Sequence, residues 1–254
     1  MPSLFTRRHL WRLALPLAPV ASAADPVPAA YPVQPLELAR EMVGASHANF
    51  QKVQALVGVR PSLVTAAVDW GFGDWEDALG AASHVGNRQI AEFLLANGAR
   101  PTLFSAAMLG QLDVVKALLA ALPGAQKIAG PHSISLLAHA KAGGKAAEVV
   151  YQYLDSLGDA GSPARPPLAS GDIELLTGVY TFGPGPSERI EISQRNGQLR
   201  FLRLGATACN LIHLGDRTFH PVGAPAVRIR FSIVPGRTII TIDDPGIVLT
   251  AVKA

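Results

Sequence analysis

From Leu36 to Gly158 the apolar residues recur at helical spacing in Ala- and Leu-rich runs broken at intervals by Gly and Pro. Past Gly161-Ser162-Pro163-Ala164-Arg165-Pro166-Pro167 the spacing changes to alternation, which predicts short strands. Turn signals separate them at Asn196-Gly197, Gly215-Asp216, Pro235-Gly236 and Asp244-Pro245-Gly246. About seven or eight antiparallel strands follow, enough for a meander closing on itself. The helical part repeats: residues 81–95 align with residues 105–119, each reading as helix, glycine turn, helix. A third copy places Leu137-Ala138-His139-Ala140 before Gly144, and a degenerate first copy carries Ser46-His47-Ala48 and then Val53-Gln54-Ala55-Leu56-Val57. The spacing is uneven, with 24 residues from Gly86 to Gly110, 34 from Gly110 to Gly144 and 37 from Val53 to Ile90. The short interval predicts that a β-finger is missing between the second and third units.

The small first helices (Ala81, Ala82; Ala106, Ala107), the glycines at 86, 110 and 144, and the Leu-Leu pair before Asn97-Gly98-Ala99 resemble ankyrin repeats. Pro101-Thr102-Leu103-Phe104 stands where that family has Thr-Pro-Leu-His, so the likeness is to an irregular stack of about four units. It implies a concave surface that binds another protein. In the C-terminal part, Gly178-Val179-Tyr180 and Asn196-Gly197-Gln198-Leu199 resemble the small lipocalin-like barrel found behind some serine β-lactamase-like hydrolases. Only the fold carries over, because the chain has neither Ser-x-x-Lys nor Gly-x-Ser-x-Gly. The expected fold class is α+β multidomain, an ankyrin-like α-helical solenoid followed by a small antiparallel β-barrel. Expected boundaries are a signal peptide at 1–23, a Pro-rich linker at 24–35, repeats at 36–158, a linker at 159–171 and the barrel at 172–254.

Thr6-Arg7-Arg8-His9-Leu10-Trp11-Arg12 resembles the twin-arginine export motif, and Ala21-Ser22-Ala23 has the small-x-small form of a signal-peptidase site. An ordinary general-secretory signal is the alternative; either route predicts a periplasmic or secreted protein. Composition changes meaning once that segment is removed. The whole chain has 22 bases against 19 acids, but Arg7, Arg8 and Arg12 go with the leader and leave 19 against 19. A neutral chain has no general field for nucleic acid. No other run reaches the roughly 18 apolar residues of a membrane span, so neither a nucleic-acid partner nor an integral membrane segment is expected.

Trp70-Gly71-Phe72-Gly73-Asp74-Trp75 holds two of the three tryptophans and sits where the finger before the second unit belongs. Asp74 is placed to cap the next helix, with Asp77 in the capping-box position. The aromatics either form an exposed recognition finger or fold back over the end of the stack. Candidate partner contacts are Trp70, Phe72, Trp75, His84 and Arg88. Arg200, Arg228 and Arg230 are either a face for an anionic ligand or the plain solvent face of their strands. Cys209, His213 and His220 come nearest to a metal set; a two-residue Gly215-Asp216 turn would put them on one face, yet too far apart to share an ion. His47, His84, His132 and His139 belong to the helical part, with no His-x-x-x-His pair among them. The reading is therefore an exported protein-binding module, not an enzyme, with no cofactor, no metal and a protein partner whose identity the sequence does not give. Two alternatives stay open: a small-ligand carrier using the barrel, and a hydrolase acting at the junction of the two parts.

Overall fold

The computed structural model describes residues 32–254; the export signal read at 1–23 and most of the linker read at 24–35 lie outside them. Four helix pairs come first: α1 (Leu36–Ser46) with α2 (Phe50–Val59), α3 (Ala78–His84) with α4 (Arg88–Ala96), α5 (Leu103–Met108) with α6 (Leu112–Ala121), and α7 (Leu136–Ala142) with α8 (Glu148–Ser156). Their starts are written in the sequence. Asn49, Asp77, Asn87, Thr102 and Ser135 each accept a bond from a backbone N–H in the first turn of the next helix. The first helices pack on one another, α3 against α1, α5 and α7, and the small side chains of Ala81, Ala82, Ala106, Ala107 and Ala140 are buried there. Gly86 shows why no larger residue serves: its φ is +76°, and a Cβ would collide with the Ala142 carbonyl. A two-stranded hairpin, β1 (Ala67–Asp69) and β2 (Trp75–Asp77), precedes α3. The short connection between α4 and α5 carries no strand.

A short helix, α9 (Asp172–Leu176), leads into eight antiparallel strands: β3 (Gly178–Thr181), β4 (Arg189–Arg195), β5 (Gln198–Arg203), β6 (Cys209–Gly215), β7 (Thr218–Pro221), β8 (Arg228–Val234), β9 (Arg237–Asp244) and β10 (Ile247–Lys253). Each pairs with the next, and β10 returns to β3 to close the barrel. Alternate residues point inward, and Tyr180, Ile190, Phe201, Phe219, Phe231 and Ile240 fill the interior. Tyr180 is fully buried and its hydroxyl donates to the Leu176 carbonyl at 2.8 Å, fixing α9 to the barrel. Asp172, also buried, holds α9 to the β6–β7 turn by accepting from Arg217 Nε at 2.9 Å.

Two local expectations are corrected. Asp77, not Asp74, caps α3, because β2 stays paired with β1 through Asp77 and the helix starts at Ala78. The β6–β7 turn is Asp216-Arg217, both at positive φ as a type I′ turn needs, with an irregularity between His213 and Gly215. That register sets His220 opposite Ile212, while His213 faces Phe219. His220 therefore does not share a face with Cys209 and His213.

Residues 35–254 form one compact unit, the helices resting on the barrel. Phe72, at the tip of the β1–β2 hairpin, meets Phe201 at 5.2 Å between ring centres. Gly223, after β7, donates its N–H to Ser133 Oγ at 2.7 Å. His213 Nδ1 donates to the Pro166 carbonyl at 2.9 Å. Among the described residues no helix is long and apolar enough to cross a membrane.

Within the stack, His139 is fully buried against Phe104, its Nδ1 donating to the Ser135 carbonyl at 2.9 Å and its Nε2 without a partner. Burial pushes its pKa down to about 4. Because the unfolded chain takes up the proton first, this group's stabilisation is complete above pH 6.5 and is lost as pH falls from 6.5 towards 4, by up to about 3 kcal/mol. Melting temperatures followed over that interval should fall less steeply for His139→Asn, whose side-chain amide can keep the bond to Ser135, than for the natural protein.

Candidate metal centre

Four side chains from separate parts of the chain meet beside the hairpin: His47 just after α1, Glu76 on β2, His84 at the end of α3 and His132 in the loop before α7. Glu76 is fully buried, on a strand only three residues long. Its Oε2 accepts from Trp70 Nε1 at 2.8 Å, so the indole fixes the carboxylate and leaves Oε1 for other partners. Around Oε1 stand three imidazole Nε2 atoms: His84 at 2.8 Å, His132 at 3.4 Å and His47 at 3.7 Å. No N–H among them lines up on Oε1, which has no hydrogen-bond partner among the described residues. The Nε2 atoms of His47 and His84 are themselves 3.1 Å apart.

The far side of two rings is already committed. His47 Nδ1 faces the Val43 carbonyl at 3.1 Å, and His132 Nδ1 faces Asp74 Oδ2 at 2.7 Å. Carbonyl and carboxylate oxygens only accept, so both Nδ1 atoms carry hydrogen, and either ring in its neutral form turns an Nε2 lone pair inward. Lone pairs of Nε2 and Oε1 pointing at one another repel unless a cation lies between them. The spacing is close to what one needs: four donors at about 2.0–2.2 Å from a tetrahedral ion are about 3.3–3.6 Å apart, the four separations given above run from 2.8 to 3.7 Å, and all four ligand atoms lie within 4.8 Å of one another. Without an ion, protons fill that role. The hydrogen bond to Asp74 and then the negative charge of Glu76 beside the ring raise His132 to about 10. Burial alone would raise Glu76, but the imidazoles of His132 and His84 overcome it and hold the carboxyl down at about 2.

Asp74 holds His132 at two points, accepting from its backbone N–H at 2.8 Å and from its ring. To be held so, His132 and Ser133 both adopt φ of +57°, a left-handed backbone that costs on the order of 1–2 kcal/mol for each such residue. The barrel completes the support, because Gly223 lies so close to Asp74 that a Cβ would overlap its carboxylate, while its N–H bonds Ser133. A carboxylate orienting a ligating histidine is the usual outer shell of a metal site. The centre is reached from a cleft of about 650 Å³ that His47, Trp70, Asp74 and His132 line together with residues of the barrel.

Of the five residues read from the sequence as partner contacts, the structure brings two here: Trp70 at the Glu76 carboxylate and His84 among the converging nitrogens. Phe72 packs on the barrel, Trp75 is 64% exposed on β2, and Arg88 pairs with Glu92 one helical turn away. Arg228 bonds the Val227 carbonyl and Arg230 reaches Asp243, so neither lines the cleft that Arg200 does. Spacing within single elements missed Glu76, His47 and His132. One signal was present: the offset of 37 that relates Val53 to Ile90 also relates His47 to His84. Comparison with protein families, with curated proteins and with solved structures found no match.

Two substitutions test the geometry. Gly223→Ala, far from the four donors in sequence, should displace Asp74 and weaken metal binding about 10–100-fold, the range for lost outer-shell support, as isothermal titration calorimetry would measure. Trp75→Ala should leave the melting temperature nearly unchanged, whereas Trp70→Ala, which orphans Oε2 of a buried carboxylate, should lower it by several degrees in scanning fluorimetry.

Proposed function

We propose that this is a metal-binding protein in which His47, Glu76, His84 and His132 hold one divalent transition-metal ion at the floor of the cleft between the helices and the barrel. The observation that carries the reading is the convergence of three Nε2 atoms on a buried carboxylate oxygen that has no hydrogen-bond partner among the described residues. Three imidazoles and one carboxylate form a donor set suited to zinc and its neighbours, with no thiolate to favour softer ions. Exposure of His47 and His132 towards the cleft leaves a side from which a further ligand can reach the ion. This supports a working centre at the junction, the ground on which the hydrolase alternative rests. The barrel-carrier alternative gains less, since large side chains fill the barrel interior.

A second reading, protein docking by an ankyrin-like stack, is supported by Trp75, a large aromatic standing exposed on the hairpin before the second helix pair. The two roles are compatible, because Trp75 is not among the residues lining the cleft.

Elemental analysis of the protein dialysed against limiting zinc should find one ion per chain. Zinc at a hundredfold excess over its dissociation constant should stabilise the fold by about 2.7 kcal/mol. Glu76→Gln and His84→Ala should each lower the affinity by on the order of 100-fold or more. Equal zinc binding by the natural protein and both variants would show that the ion sits elsewhere and remove this reading.

A further inference from the structure

Part of the lining of the cleft that leads to the candidate metal centre is built from the β4–β5 hairpin of the barrel. Asn196 and Gly197, at φ of +52° and +76°, make its tight turn. Arg195 pairs with Gln198 and Ser193 with Arg200, so Arg195, Gln198 and Arg200 stand on one face of the hairpin. The residues inside the barrel, Ile192, Leu199 and Phe201, belong to the opposite face. The arginine face lines the same cleft as His47, Asp74 and His132. Asn196, Gln198 and Asn210 add side-chain amides to that lining.

Neither arginine is neutralised. Among the described residues no carboxylate pairs with Arg195 or Arg200, and the one hydrogen bond from Arg200 is a long one, 3.5 Å, to the Ala208 carbonyl. Among the described residues Asp74 is the only carboxylate in the cleft lining, and it is occupied by His132. The charges can be counted for the loaded centre. A divalent ion is balanced by Glu76 and Asp74, and three neutral imidazoles add nothing. Arg195 and Arg200 then remain as two positive charges on the lining of the cleft through which the ion is reached. Water answers a guanidinium fork poorly compared with an oxyanion, whose oxygens match its paired N–H groups. Ordinary solvent-facing arginines on a strand would have no reason to share a cleft with a cluster of inward lone pairs.

We infer that the cleft binds a small ligand bearing an oxyanion, a phosphate or carboxylate group held by Arg195 and Arg200 with one of its oxygens ligating the metal. This rests on the metal reading above and names the class of molecule on which that centre acts.

The test uses the whole folded protein loaded with Co²⁺, whose visible absorption reports both occupancy and changes of ligand. Inorganic phosphate, acetate and neutral imidazole are titrated in turn into the natural protein, into Arg195→Gln with Arg200→Gln, and into Arg200→Lys. Phosphate or acetate should shift the cobalt bands saturably in the natural protein, and the double variant should bind the same anion at least tenfold more weakly. Imidazole, which needs only the ion, should bind the natural protein and the variants alike, and unchanged cobalt affinity certifies that the variants are folded. Arg200→Lys should fall between the other two, keeping the charge and losing the fork. The tighter of phosphate and acetate identifies which oxyanion the cleft prefers. If cobalt gives no bands and no stoichiometric binding, the metal reading fails and this inference with it. If the bands form but both anions leave them unmoved, or act equally on the natural protein and the double variant, the metal reading stands and the oxyanion inference is overturned.

Discussion

A carboxylate with no exposure to solvent organises the middle of this molecule. Taking the charge of Glu76 out of water costs several kcal/mol unless it is surrounded by donors or cations. Much of the local architecture serves that need. The β1–β2 hairpin exists to turn Trp70 back onto Glu76, and Asp69 shapes the turn by accepting from the backbone N–H groups of Gly71 and Gly73. The ends of α1 and α3 bring two imidazoles to the remaining oxygen, and the loop before α7 accepts left-handed backbone to bring a third. Removing one partner leaves a buried charge uncompensated, so these elements hold their places together.

The helical part and the barrel are consequently more than neighbours. The donors all come from the helical part and its hairpin, yet the orienting carboxylate Asp74 is backed by Gly223 and the strained loop is bonded by it. Phe72 anchors the hairpin tip on the barrel from the other side. Rigidity at the cluster is thus borrowed from a closed β-structure whose own core contributes no donor to it.

What the sequence disclosed, and what it withheld, follows from the range of each interaction. The caps at Asn49, Asn87 and Ser135 are settled within three residues and were within reach of the sequence, although only Asp74 and Asp77 were read from it. Asn196-Gly197 is legible because a tight type I′ turn demands positive φ at both positions. The β6–β7 register was missed by one residue, since an irregularity after His213 depends on packing across strands and not on the turn dipeptide. Asp74 looked like a cap, because the partner it has, His132, is 58 residues away. The four donors lie up to 85 positions apart in sequence, from His47 to His132, and nothing in their local spacing requires them to meet. A stronger use of the repeat would have paired His47 with His84; no comparable argument reaches Glu76, whose burial on a strand is purely tertiary.

Closure of the barrel has a separate consequence for the fate of the chain. When β10 joins β3, every strand of that sheet has two neighbours, and closure shortens the rows of free backbone N–H and C=O groups that could recruit a strand from another molecule. β10 meets β3 only at Val252 and Lys253, however, so Ile247 and Val248, exposed at its start, pair with β9 on one side alone. The one open sheet among the described residues, the β1–β2 hairpin, is three residues to a strand and offers a foreign chain little to pair with. Stagger between strands therefore decides where a foreign strand could still add to this barrel: at the Ile247–Val248 end of β10, and not along the length of any whole strand.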